Sequence, residues 1–182
     1  MPKYCYILAI VLVAGCSSPE GPAEVVPSQN WELLFSTHPD SAAQLAQAAL
    51  RQEEIPLADS AITLKHLGTY YMHKGKNEKA IALYLRALNA YKLQSDTQGQ
   101  AAIYLNLTNV EDRPDQRLIW HEKSIELYRK AGDFRGVAKN WVNLGTSYMH
   151  SGELKKADLY YNQALKLSRE KGFDATRYSS LL

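Results

Sequence analysis

The chain has 182 residues, 46% hydrophobic and 22% charged, and 21 lysines and arginines against 19 aspartates and glutamates leave a net charge of +2. That is enough for one domain with its own core, and the mixture is that of an ordinary globular protein. The cations form no stripe, which argues against a nucleic-acid partner. The longest uncharged apolar run, "YCYILAIVLVAG" from Tyr4 to Gly15, is too short to span a bilayer as a helix, which takes about 20 residues. It reads instead as a leader over residues 1–15. Lys3 supplies positive charge, Ile7 to Ala14 an apolar stretch, and Ala14-Gly15 a small-residue cleavage context.

The order Val13-Ala14-Gly15-Cys16 resembles the lipobox of bacterial lipoprotein signal peptides. The resemblance implies that Cys16 becomes the first residue and carries lipid. Several acyl chains would then anchor the protein in a membrane, which one chain does only marginally. Ser17 stands where an aspartate would favour the inner membrane, so the resemblance implies the outer membrane of a bacterial envelope, facing the periplasm. A plain cleaved secretory signal is the alternative. With Cys5 removed and Cys16 modified, the mature chain has neither disulfide nor free thiol. Residues 16–30, with Pro19, Pro22 and Pro27 among Ser, Gly and Glu, read as a tether. Ser17 to Asn30 reaches at most about 50 Å when extended.

From residue 31 to 182 the periodicity is helical. "NWELLF" reads as a short capping helix, and "DSAAQLAQAALRQ" as the second helix of a partial repeat over about 40–55, with Asp40 or Ser41 as N-cap. Apolar residues then recur at three- and four-residue spacings, as in Leu64, Leu67, Tyr71 and again Tyr84, Ala87, Leu88, Tyr91. Breakers separate the runs: "HKGKN", "QSDTQG", "EDRPD", "AGDFRG", "HSGE" and "KGFD". No strand alternation or hairpin signal appears. The chain is predicted all-α.

"LGTYYMHKGKNEKAIALYLRAL" from Leu67 agrees with "LGTSYMHSGELKKADLYYNQAL" from Leu144 at 12 of 22 positions, at a constant offset of 77. Matching places hold Leu64/Trp141, Leu67/Leu144, Gly68/Gly145, Tyr71/Tyr148, Ala80/Ala157, Tyr84/Tyr161 and Ala87/Ala164. This resembles the tetratricopeptide repeat in its roughly forty-residue variant. The resemblance implies an α-solenoid of antiparallel helix pairs, with repeats at about 57–93, 97–131 and 134–171 and an incomplete one at 174–182. The small residues let paired helices approach and the tyrosines fill the wedge between pairs. A single pair cannot bury its own apolar face, so copies stack.

The middle copy departs from the pattern. Thr108 to Arg117 spans nine steps where Gly68 to Ala80 spans twelve, and Glu111 and Arg117 stand in place of Tyr and Ala. Pro114 is placed to open its second helix. At the C-terminus "FDATRYSSLL" begins another first helix and stops, which leaves Tyr178, Leu181 and Leu182 as a face for self-association or a partner.

Chemistry is hard to find. His73 and His150 are one repeat position seen twice, at the exit of a first helix, and read as solvent-facing turn residues. No metal-ligand spacing accompanies them. No phosphate loop, nucleophile elbow or Cys/His dyad occurs. The sequence therefore points to no enzyme, no cofactor and no metal. What remains is a groove, which the repeat resemblance places on the first helices. Its candidate residues are Lys65, His66, Thr69, Leu105, Asn106, Asn109, Lys139, Val142, Asn143 and Thr146. Asparagine both donates and accepts, so His66, Asn106 and Asn143 with their neighbours suit the backbone of an extended peptide, and Lys65 and Lys139 favour acidic ligands. The expected function is a lipid-anchored protein-interaction scaffold. The alternative is a truncated sensor segment of a bacterial signalling protein, resembling a histidine kinase or transcription regulator.

Overall fold

The computed structural model describes residues 30–51 and 55–174. Cys16, the tether, and Tyr178, Leu181 and Leu182 lie outside the described residues. Eight helices and no strand occur among those described: α1 (Trp31–Thr37), α2 (Pro39–Ala49), α3 (Leu57–His73), α4 (Asn77–Leu93), α5 (Thr97–Thr108), α6 (Pro114–Lys130), α7 (Phe134–His150) and α8 (Leu154–Lys171). Contacts are densest within the pairs α3–α4, α5–α6 and α7–α8, and α4 meets α5 and α6 meets α7 at the joints between pairs. The chain is an all-α solenoid.

Helix ends follow local chemistry. Pro39 occupies the first turn of α2, so the cap position is His38, without a side-chain cap bond. Asp40 is not the cap expected from the sequence. It accepts instead from the Tyr70 hydroxyl at 2.7 Å and pairs with Lys74 at 2.9 Å, tying α2 to the end of α3. Pro114 opens α6 as expected. After α3, Gly75 takes φ +69 while its N–H reaches the Met72 carbonyl and the Lys76 N–H reaches that of Tyr71. These bonds satisfy two terminal carbonyls. Ser95 does the same after α4, at φ 55, without glycine's freedom. Ser95→Gly is therefore expected to raise stability by about 0.5–1 kcal/mol, read as a higher urea midpoint; an unchanged midpoint rejects the strain.

Glycine–tyrosine contacts set the spacing of the stack. A Cβ on Gly68 would lie 2.7 Å from the Tyr84 ring, and one on Gly145 2.8 Å from that of Tyr161, so the paired helices close on bare backbone. The joints between pairs repeat the device. Asp96 and Asp133 cap α5 and α7 by accepting from the N–H of Gly99 and Gly136, both at 2.8 Å. Tyr91 and Tyr128 press on those same glycines, where an added Cβ would come within 2.3 and 2.4 Å. Tyr84, Leu88, Tyr91, Ile103, Leu107 and Val110 share the largest core cluster, which spans the first joint. Each large apolar side chain so buried contributes about 1.5–3 kcal/mol.

The front of the stack is more complete than a lone second helix. Trp31 is 0% exposed and packs with Ala43, Ala46, Ala49 and Leu67. Short α1 therefore stands beside α2 as a shortened first helix and presents Phe35 to α3.

Candidate functional site

The first helices α1, α3, α5 and α7 form one face, and the predicted groove residues fall on it unevenly. Leu105 and Val142 are corrected: both are 3% exposed and belong to the core. Leu105 packs with Ala101, Tyr128 and Val137, and Val142 with Ala138 and Ala164. At this repeat position an apolar side chain is drawn into the neighbouring core, whereas Lys65 stays half-buried at the same position. Thr69 and Thr146 point the right way, but their hydroxyls are occupied. Each donates to the carbonyl four residues earlier, and each meets a tyrosine hydroxyl, Tyr84 at 3.1 Å and Tyr161 at 3.0 Å. They anchor core tyrosines.

His66 is half-buried and stacks on Phe35 with ring centres 5.8 Å apart and an interplanar angle of 14°. Burial first and the Lys65 charge second push its pKa down to about 4, so it sits there neutral. The ammonium of Lys65 is itself pushed down, chiefly by burial; Glu32 and Asp96 oppose the shift, and Lys139 adds to it. Phe35, Pro39, His66, Thr69, Tyr70 and His73 border a cavity of about 570 Å³ at this end. Lys139 is exposed and Asn106 half-buried.

A second, polar cavity of about 290 Å³ opens where the middle pair meets the last one. Asn109 from the end of α5 and Asn143 and Thr146 from α7 line it, so three predicted residues do converge here. The sequence missed the second-helix residues beside them, Arg117 and His121 of α6. Arg117 closes the short middle turn. Its Nε and Nη2 donate to the Glu111 carbonyl at 3.0 and 2.7 Å, and its Nη1 donates to Ser147 Oγ at 3.1 Å. The Glu111 carboxylate turns to Arg113 instead, at 3.0 and 3.1 Å, and that guanidinium holds its pKa below the usual range.

His121 occupies the place of Tyr84 and Tyr161, and Thr108 that of Gly68 and Gly145. A smaller ring thus faces a larger partner. His121 is 1% exposed, and its Nδ1 lies 2.5 Å from Asn140 Oδ1 on α7. Burial pushes its pKa down; the Asn140 bond opposes this and the Arg117 charge reinforces it. His73 and His150, expected in solvent, are exposed. Among the described residues no group of three His, Cys, Asp or Glu is placed to hold a metal ion, and no helix is long and apolar enough to cross a membrane.

A helical stack with a polar first-helix face defines a repeat protein, and the comparisons agree. Family models described as tetratricopeptide repeat match residues 63–98 and 138–171. The two matches support a tetratricopeptide-repeat family for this chain, and both are repeat models rather than catalytic ones. The crystal structure of BtubC (BKLC) from P. vanneervenii is similar with a TM-score of 0.66 at 19% identity, over 92% of this chain and 72% of that one. This likeness concerns the fold alone. No curated protein matches the chain.

Proposed function

We propose that the protein is a lipid-anchored scaffold that holds a protein partner on its first-helix face. The observation that carries the reading is the convergence of Asn109, Asn143 and Thr146 on one polar notch beside Arg117. Tetratricopeptide repeats suggest an interaction scaffold in general, and an open polar recess flanked by asparagine amides suits a polypeptide. Photo-crosslinking from an exposed residue beside the notch but outside its lining, Ser151 after His150, should trap a partner in solubilised membranes. Asn143→Arg should abolish the adduct while leaving the helical spectrum intact. An adduct of equal yield in that variant would reject this face as the binding site.

The anchor is the second part of the proposal and rests on "LVAGC". In a Gram-negative host the protein should take up labelled fatty acid and fractionate with the outer membrane, and Cys16→Ser should abolish both. Soluble wild-type protein without label overturns it. Self-association through Tyr178, Leu181 and Leu182 completes the reading. Deleting residues 174–182 should leave a folded monomer, and sedimentation identical to that of the full chain rejects this contact.

A further inference from the structure

Arg117 is a half-buried cation whose partners are neutral. The ion pairs among the described residues are Lys74–Asp40, Arg113–Glu111 and Lys156–Glu153, so no described carboxylate is within ion-pair range of Arg117. A charge withdrawn from water is ordinarily paired. Of its five N–H groups three are engaged, two by the Glu111 carbonyl and one by Ser147, which leaves one hydrogen on each Nη. Two such hydrogens match the two oxygens of a carboxylate. The notch that Arg117 lines also holds the amide of Asn143 and the imidazole of His150.

His121 borders the same space. Its Nδ1 is held by Asn140, which leaves Nε2 as the ring nitrogen with no hydrogen bond among the described residues. Neutral, that nitrogen presents a lone pair to any arriving anion; protonated, it presents a donor. The charged and titratable groups around it are Arg117 on its own helix, Glu111 and Asp112 from the turn after α5, and His150 on α7. Glu111 is already neutralised by Arg113. Asp112 is exposed and unpaired, and its charge opposes an incoming anion.

We propose that the notch receives a carboxylate of the bound protein on Arg117, and that protonation of His121 tightens the grip. This rests on the proposed use of the first-helix face, and it adds the ligand chemistry and a proton to it. Binding of the anion and binding of the proton must favour each other equally, because the coupling is reciprocal.

Acetate is the simplest probe. The full chain is titrated with pH by NMR, in sodium acetate and in sodium chloride at equal ionic strength. Acetate should raise the His121 midpoint by about one unit, equivalent to about tenfold tighter binding to the protonated form, and should shift the Arg117 Nε–H resonance. Arg117→Gln should erase the His121 shift, and Asp112→Asn should enlarge it. Asp112→Asn leaves the packed turn alone, so it keeps the test decisive if Arg117→Gln does not fold. Overturning results are an unmoved His121 midpoint with an unmoved Arg117 resonance, a shift that survives Arg117→Gln, or a response to inorganic phosphate without one to acetate. A peptide with a free C-terminus, compared with its amidated form and with an amidated form bearing an internal aspartate, assigns the carboxylate to a chain end or to a side chain. Crosslinking at the notch that persists when acetate has no effect would defeat this inference and leave the scaffold reading standing.

Discussion

Trp31→Ala is expected to destabilise the protein by about 3–5 kcal/mol, although the residue sits in a helix of only seven. A helix that short has no stability of its own in water. What holds α1 is the indole, 0% exposed among Ala43, Ala46, Ala49 and Leu67 and tilted against Phe35 with ring centres 5.9 Å apart. The indole Nε1 is buried without a hydrogen-bond partner among the described residues, which subtracts from the stabilisation and places the loss toward the lower end of that range. Trp31→Phe removes the orphan donor and keeps an aromatic ring, so it should cost under about 1.5 kcal/mol. Urea unfolding measures both. A second readout follows from Phe35: if α1 detaches, His66 loses its stacking partner and its pKa should climb from about 4 toward the ordinary 6.5. Wild-type stability in Trp31→Ala would mean that α1 is no part of the cooperative unit.

The stack was legible because its determinants are local and repeated. The spacing of Leu67, Gly68, Tyr84 and Ala87 recurs at Leu144, Gly145, Tyr161 and Ala164, and every one of these but Tyr161 is buried. The joints between pairs were also written in the sequence, though less visibly, as the Asp-x-x-Gly of 96–99 and 133–136 that caps a helix and accepts the preceding tyrosine. The groove was harder to read. Aligning Lys65, Leu105 and Val142 as one position hid a difference in kind: a lysine can keep its ammonium near water, whereas leucine and valine gain by turning inward. Hydroxyls at Thr69 and Thr146 looked free until the tyrosines across the pair were found to need them. The notch depends on residues of two helices meeting across a joint, Arg117 and His121 from α6 and Asn143 from α7. Its signal was the exchange of Gly–Tyr for Thr108–His121, a volume trade that a pattern of residue classes does not register.

Acid should weaken the fold well before its carboxylates titrate. His66 is held neutral with a pKa of about 4, against 6.5 for the free imidazole, and His121 is lowered as well, in both cases chiefly by burial. The unfolded chain therefore binds these protons first as pH falls, and stability declines wherever the unfolded state holds more protons than the folded one. Full stability is present above the unfolded value of 6.5 and is lost progressively on the way down to about 4. His66 contributes on the order of 1–2 kcal/mol once its solvent-exposed edge is discounted, and His121 adds in the same direction. Asp40, Glu111 and Glu153 have lowered values and add their own loss only as pH falls below the ordinary carboxylate range of 3.8–4.5. Thermal melts in chloride should therefore shift downward between pH 7 and pH 5, and His66→Gln with His121→Gln should flatten that slope. A slope unchanged in the double variant would exonerate the two imidazoles. Repeating the wild-type melts in acetate separates them: an anion on Arg117 reduces the His121 share of the loss, while the His66 share, set by Phe35 at the other end of the stack, stays as it was.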